Sequence, residues 1–257
     1  MRAIILAAGV GRRLGAAAGN QPKSLLCFGN KSLLQRHLEI LEFCGVGEVA
    51  IVVGHGADVV RGAIDGLRSS QRVQLIDNPR YREGSMVSLA CARQVLGSGE
   101  PILLMDADVL YDHRLMRHLI DAPLANSFLL DRDIEPGDEP VKLCIRDGTI
   151  VDFRKRPEIA HDWYGESVGF FRFSPAIAAA LGERCGAYLG GARCDTEYEE
   201  AIRELVIALP PATFGFVDIT GLPWIEIDFE QDVARASELI VPRLIETGTP
   251  IAAPRGR

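Results

Sequence analysis

Four groups of side chains have the residue types and spacing to handle a phosphorylated substrate. The first follows a short apolar run at the N-terminus: Leu6-Ala7-Ala8-Gly9-Val10-Gly11, then Arg12-Arg13 and, after a gap, Pro22-Lys23. Lacking β-carbons, Gly9 and Gly11 let the main chain approach a ligand and aim its N–H groups at phosphate oxygens. The second is Asp106-Ala107-Asp108 at the exit of the apolar run 102–105. Two carboxylates two residues apart at a strand end can reach a Mg²⁺ shared with nucleotide phosphates, although loop acids or a helix cap use the same letters. The third is Glu226 and Asp228, which an alternating strand places on one face; Asp228 can equally cap the helix that follows. The fourth is Lys142 and Lys155, one on each arm of an expected hairpin, where solvated strand lysines are the plain alternative. Only four of the 28 basic residues are lysines (Lys23, Lys31, Lys142 and Lys155), which suits positions that need a compact ammonium.

Two familiar phosphate loops are excluded. No G-x-x-x-x-G-K-[ST] string occurs, and a dinucleotide fingerprint would need glycine at Leu14 and an acid about 20 residues on. The first 38 residues hold six Lys/Arg and no acid, whereas the whole chain has 35 acids and a net charge of −7. A local positive field in an acidic protein suits a specific anion site and argues against general nucleic-acid binding. With 257 residues, 47% hydrophobic and 25% charged, the chain reads as globular, with no run long enough for a membrane helix. A short apolar run leading into Gly9 and two arginines does not read as a secretory leader. Cys27, Cys44, Cys91, Cys144, Cys185 and Cys194 contain no C-x-x-C pair, so reduced thiols and a cytoplasmic location are expected.

The elements that must position these groups alternate. Strands are expected at 3–6, 49–53, 73–76 and 102–105, with helices at 32–44, 57–67, 85–96 and 111–120. This is the rhythm of a doubly wound α/β fold with a mostly parallel sheet, whose ligands lie at the carboxyl ends of the strands. The pattern then changes. Runs 141–146 and 149–154 flank Asp147-Gly148, a hairpin turn signal, and 168–173 reads as another strand. Helices follow at 175–188 and 196–209, short strands at 214–217 and 224–227, and one long helix at 229–246 bent near Pro242. We expect a single domain over 1–247, with a nucleotide-binding half (1–135), a small β-rich and helical acceptor-binding half (136–247) and a flexible tail (248–257).

The string L-A-A-G-x-G-x-R-L followed by P-K resembles the signature of nucleotidyltransferases that join an NTP to a phosphorylated acceptor. The resemblance implies a Rossmann-like nucleotidyltransferase fold. It also implies that Leu6, Ala7, Ala8, Gly9, Gly11 and Arg12 wrap the triphosphate and base, that Arg13 holds the β- and γ-phosphates, and that Lys23 meets the α-phosphate. Glycosyltransferases share a D-x-D motif, but the loop favours the nucleotidyltransferase reading, in which Asp108 is the principal metal ligand, Asp106 is auxiliary and Asp228 supplies the second ligand. Lys155 matches the lysine that approaches the acceptor phosphate better than Lys142 does. Most of the chain is similar to cytidylyltransferases acting on phosphocholine and related phosphoalcohols, with Gly165-Glu166-Ser167-Val168-Gly169 resembling their acceptor segment. Gly84, Ser85 and Ser88 face the base or ribose in that layout, or simply start a helix.

The implied reaction is Mg²⁺-dependent: CTP, or another NTP, and a phosphorylated small alcohol give a CDP-alcohol and pyrophosphate. Trp163, Trp224, Tyr164, Tyr188 and Tyr198 cluster near Glu166, Asp195, Glu197 and Glu199, and residues 160–228 contain neither Asn nor Gln. Aromatic faces with carboxylates suit an ammonium-bearing acceptor; the same aromatics can also be core. On this basis Lys142, Glu166, Tyr198 and Trp224 are expected at the acceptor. Competing readings are a sugar-1-phosphate nucleotidylyltransferase using UTP or dTTP, and a nucleotide-binding regulatory protein. The oligomeric state is open, a homodimer included.

Overall fold

The computed structural model describes residues 1–11, 13–14, 21–67, 69–134, 140–191, 195–245 and 247. Arg12 and the expected tail at 248–257 lie outside this set.

The first part of the chain alternates as the periodicity predicts. β1 (Arg2–Ala7) is followed by a small hairpin, β2 (Cys27–Phe28) and β3 (Lys31–Ser32), then α1 (Leu33–Phe43), β4 (Glu48–Val53), α2 (Ala57–Asp65) and β5 (Arg72–Asp77). Next come α3 (Ser85–Cys91), α4 (Arg93–Leu96) and β6 (Ile102–Asp106). Ser32 caps α1 as expected, its hydroxyl accepting the Gln35 N–H at 3.1 Å. The chain continues through β7 (Val109–Tyr111), α5 (His113–Ile120), β8 (Ser127–Asp131), β9 (Lys142–Arg146), β10 (Thr149–Arg154) and β11 (Trp163–Phe173). It ends with α6 (Pro175–Gly190), α7 (Glu199–Ala208), β12 (Gly215–Asp218), β13 (Trp224–Glu226) and α8 (Glu230–Arg235).

β6, β1, β4 and β5 lie side by side in parallel, and β11 joins β6 antiparallel, carrying the β9–β10 hairpin and β8 with it. This is the mostly parallel, doubly wound α/β sheet expected, with an antiparallel extension. Strand alternation divides the core. Ala3, Ile5 and Ala7 pack on one face with Leu34, Leu38 and Leu41 of α1 and Leu115, Met116 and Leu119 of α5. Ile4 and Ala8 pack on the other with Met86, Leu96, Leu181 and Ile202 from α3, α4, α6 and α7. Among the described residues, no helix is long and apolar enough to cross a membrane.

Several expected boundaries are corrected. Tyr111 ends a strand, and the helix starts two residues later, because Asp112 caps it by accepting the Arg114 N–H at 3.0 Å. Helix α7 begins at Glu199 and not at 196. The Thr196 carbonyl instead accepts the Met86 N–H, and the Tyr198 N–H donates to Ser85 Oγ at 2.9 Å. The long C-terminal helix is broken into α8, a π turn at Ala236–Ile240 and a 3₁₀ turn at Val241–Arg243. Pro242 has no N–H for an i−4 carbonyl and its ring crowds that turn, which accounts for the break.

The hairpin is held to α7 by a buried charge. Asp147 (φ 49°) and Gly148 (φ 74°) make the tight turn, and on β10 the fully buried Asp152 accepts from Arg203 Nε at 2.6 Å and from the N–H groups of Glu158 and Ile159 at 2.8 and 3.0 Å. Burial alone would raise this carboxyl; the Arg203 guanidinium and the two backbone donors more than offset it and hold the pKa below the ordinary aspartate value. Because the folded pKa is depressed, the stabilisation is fully present above the unfolded value near 3.8 and is lost as pH falls through the folded value. Replacing Arg203 with methionine leaves a buried carboxylate without its cation, a loss of about 3–5 kcal/mol. At ~2–4 °C per kcal/mol, thermal unfolding at pH 7 should drop by roughly 10 °C, and acid unfolding should begin at higher pH than in the wild type. A shift smaller than 2 °C would show that this strut carries no weight.

Candidate active site

Sheet register brings the separated acids together. Leu6 lies opposite Asp106 in the β1–β6 pair, so the glycine loop and Asp106-Ala107-Asp108 leave the sheet side by side. β13 pairs antiparallel with β7, setting Glu226 opposite Val109, and the Ile227 N–H donates to the Asp108 carbonyl at 2.9 Å. Asp108, Glu226 and Asp228 can thereby place one carboxylate oxygen each within 4.8 Å of one another. Lys23 projects from a 3₁₀ turn at Lys23–Leu25, with its Nζ 3.1 Å from Asp108 Oδ2 and 2.6 Å from Asp228 Oδ1. Gly11, at φ +63°, lies against its stem; a β-carbon there would come within 2.8 Å of Lys23 Cγ. Arg13 reaches the other oxygen of Asp228 at 3.2 Å and lies over the Phe229 ring.

The helix-cap alternative for Asp228 fails. Its side chain faces Lys23 and Arg13, while Asp232 Oδ2 accepts the N–H groups of Asp228 and Phe229 at 3.0 and 2.7 Å. Burial works against the charge on Lys23, but Asp108 and Asp228 more than offset it and raise its pKa above the ordinary lysine value. Desolvation in the cleft, followed by the carboxylates of Asp108 and Asp228, pushes the Glu226 carboxyl well up. Three crowded carboxylates, two of which already grip an ammonium, form a hard, all-oxygen donor set, and that set fits Mg²⁺.

A cleft of ≈ 410 Å³ opens above these groups, and most of the expected nucleotide contacts line it: Leu6, Ala8, Gly9, Gly11, Arg13, Gly84, Ser85, Ser88 and Asp106. Asp108, Asp228 and Lys155 line it too, and Glu226 joins them. Lys23 lies beneath, bridging two of the wall carboxylates. Ala7 is not among the lining residues, since strand alternation turns its side chain into the opposite core. Nothing is described for Arg12.

The expected acceptor residues fare differently. Trp224 is not in the cleft; its ring packs against the core and its indole N–H donates to Asp131 Oδ2 at 2.7 Å. Glu166 lies opposite Lys142 and Asp131 in the β11 register and does not line the cleft. Lys142 is buried and donates to the Lys155 carbonyl at 2.9 Å, so it props the segment that carries Lys155 without facing the cleft itself. Tyr198 does line the floor, but as a support: its hydroxyl donates to Asp106 Oδ2 at 2.6 Å and its ring meets Phe171 edge-on. A positive-φ residue on β11, Gly169 (φ +77°), makes room for Asp106, since a β-carbon there would lie 2.4 Å from Asp106 Oδ2. Burial first, then Asp108 and Glu199, pushes the Asp106 carboxyl well above its ordinary value.

Sequence reading grouped Glu197 and Glu199 with the aromatics suited to an ammonium but did not name them among the site residues. Both line the cleft, Glu197 within 3.2 Å of Lys155 Nζ. Glu199 is pushed up to about 7 by burial and then by Glu197. Within the string Asp195-Thr196-Glu197-Tyr198-Glu199-Glu200, nothing local separates these two from the other acids expected near a helix N-terminus.

A sequence profile for the MobA-like NTP transferase domain matches residues 3–146. The CMP-5'-(3-aminopropyl)phosphonate synthase of Streptomyces rubellomurinus is 27% identical over 250 residues, covering 92% of this chain and 38% of the relative. The CTP:phosphoglutamine cytidylyltransferase of Campylobacter jejuni is 26% identical over 188 residues, 68% of this chain and 73% of the relative. The chain thus spans well under half of the first of these proteins. The structure of CTP:phosphocholine cytidylyltransferase from Streptococcus pneumoniae superimposes with a TM-score of 0.71 at 22% identity, covering 92% of this chain and 97% of that one, a likeness of fold.

Replacing Lys23 with methionine keeps the stem under Gly11 but leaves the carboxylates facing one another. The loss of charged hydrogen bonds should cost about 1–3 kcal/mol in chelator, a Tm fall of roughly 3–10 °C. Millimolar Mg²⁺ should recover more stability in this variant than in the wild type, and Asp228→Asn should abolish that recovery. A Lys23→Met protein whose melting ignores Mg²⁺ would contradict the fit of this donor set to the ion.

Proposed function

This chain belongs to the MobA-like NTP transferase domain family, and we propose that it is a cytidylyltransferase joining CTP to a small phosphate or phosphonate acceptor with release of pyrophosphate. The observation that carries this reading is one cleft lined by a glycine loop, by three clustered carboxylates of which Asp108 and Asp228 grip Lys23, and by Lys155 on the facing wall. CTP is favoured among donors because the two relatives above are a CTP-using cytidylyltransferase and a CMP-phosphonate synthase.

The acceptor is already an anion, so no general base is required. One of its oxygens attacks the α-phosphorus of CTP, a P–O bond forms, and the bond to the β-phosphate oxygen breaks in line with it. The difficulty is to bring two polyanions together and hold them aligned. Backbone N–H groups of the Gly9–Gly11 loop take phosphate oxygens, and Arg13 takes the outer phosphates. Lys23, released from part of its grip on Asp108 and Asp228, donates to the α-phosphate as charge moves onto the leaving group. Asp108, Asp228 and Glu226 would hold Mg²⁺, which when bound would offset phosphate charge. Lys155 neutralises the incoming acceptor, and Gly84, Ser85 and Ser88 face the nucleoside.

Pyrophosphate release measured with CTP, UTP, GTP and dTTP against a panel of phosphate and phosphonate acceptors tests the assignment. CTP should exceed every other donor by at least tenfold. In that assay Lys23→Met should lower turnover by about 10²–10³, the scale for losing one donor oriented at transition-state charge. Preference for UTP or dTTP with glucose 1-phosphate would assign the sugar nucleotide reaction instead, and nucleotide binding without any turnover would make the protein a sensor.

A further inference from the structure

A second cavity of ≈ 380 Å³ adjoins the nucleotide cleft and shares Lys155, Glu197 and Glu199 with it. Its walls are of opposite charge. Arg154, Lys155 and Arg156 come from the end of β10 and the residues just after it; Glu197 comes from just before α7, and Glu199 and Glu200 from its first turn. Two of the acids are engaged across the gap, Glu200 with Arg154 at 3.1 Å and Glu197 with Lys155 at 3.2 Å. Glu199 is different: its Oε2 is buried and has no hydrogen-bond partner among the described residues. A buried carboxylate oxygen left without a donor is costly, so its placement between two ligand-sized cavities calls for a guest that supplies one.

The guest's chemistry follows from the lining. One wall attracts an anion and the other presents a carboxylate, which together describe a zwitterion. No aromatic residue lines this cavity. Of the aromatics that sequence suggested for a cation cage, Tyr198 lines the neighbouring cleft with its hydroxyl committed to Asp106, while Trp163 lies under Arg132, Tyr188 donates to Glu204 and Trp224 donates to Asp131. A quaternary ammonium has no N–H to give and depends on aromatic faces, whereas a primary ammonium can donate directly to a carboxylate.

We propose that Glu199 is the acceptor-specificity residue, its carboxylate receiving the primary ammonium of an aminoalkyl phosphate or phosphonate whose anionic end faces Lys155. This rests on the cytidylyltransferase reading above. A matched series isolates it: phosphoethanolamine, phosphocholine and ethyl phosphate share one anionic end and differ in the other. With CTP, phosphoethanolamine should exceed both others by at least tenfold in kcat/KM, mainly through KM. In Glu199→Gln its advantage over ethyl phosphate should shrink to within threefold, and Glu199→Asp should restore part of it. Calorimetric binding of phosphoethanolamine and ethyl phosphate to the protein alone separates this inference from the reaction. Tighter binding of the amine, lost in Glu199→Gln, supports the subsite whatever the nucleotide donor proves to be. Equal binding of the two, an advantage that survives Glu199→Gln in a protein that melts normally, or a preference for phosphocholine would overturn it even if CTP turnover is established.

Discussion

The arrangement depends on how like charges are tolerated at one end of a sheet. Asp108, Glu226 and Asp228 are close enough to repel strongly, and Asp106, half-buried, lines the same cleft. Lys23 makes that crowding stable by bridging two of the three, and the rest of the local structure serves the bridge. Pro22 and the 3₁₀ turn aim the lysine, Gly11 lies flat on its stem, and Arg13 takes the outward oxygen of Asp228. Tyr198 holds Asp106 in place, and Gly169 leaves room for it. The same crowding makes the site receptive to further positive charge, since any added cation relieves repulsion that one ammonium cannot cancel alone.

Charge placement also organises the extension beyond the parallel sheet. Arg203 and Asp152 join α7 to the hairpin, so the wall carrying Lys155 and the wall carrying Glu199 are fixed relative to each other by a buried pair outside both cavities. Lys142 contributes from beneath by holding the Lys155 carbonyl. Two residues that look from sequence like ligand contacts, Lys142 and Tyr198, are thus supports for the groups that do face the cleft.

Much of this was legible in the sequence, for a physical reason: the glycine loop, Lys23, Asp106-Ala107-Asp108 and Asp228 carry their chemistry in short local strings next to strand ends. The alternation of strand and helix up to β6 was equally plain. What was hidden depends on partners distant in the chain. Nothing local to Trp224 announces Asp131, and nothing local to Glu166 says that it faces Lys142 across a ladder. Strand β8, Ser127–Asp131, is buried throughout and shows neither helical nor strand periodicity, so it escaped notice. The break after α8 was visible as Pro242, but not the length of chain it would unwind.

The Lys23–Asp228 bond joins residues 205 positions apart. Contacts of that separation form late, because the loop they close is nearly the whole chain. During synthesis the β1 loop and the Asp108 segment emerge early, while the strand bearing Glu226 arrives only after every sheet strand has left the ribosome. A nascent chain therefore carries the glycine loop and Asp108 long before it carries Glu226 and Asp228. The carboxylates that complete the charge pattern of the cleft are thus made after all the strands of the large sheet beneath it.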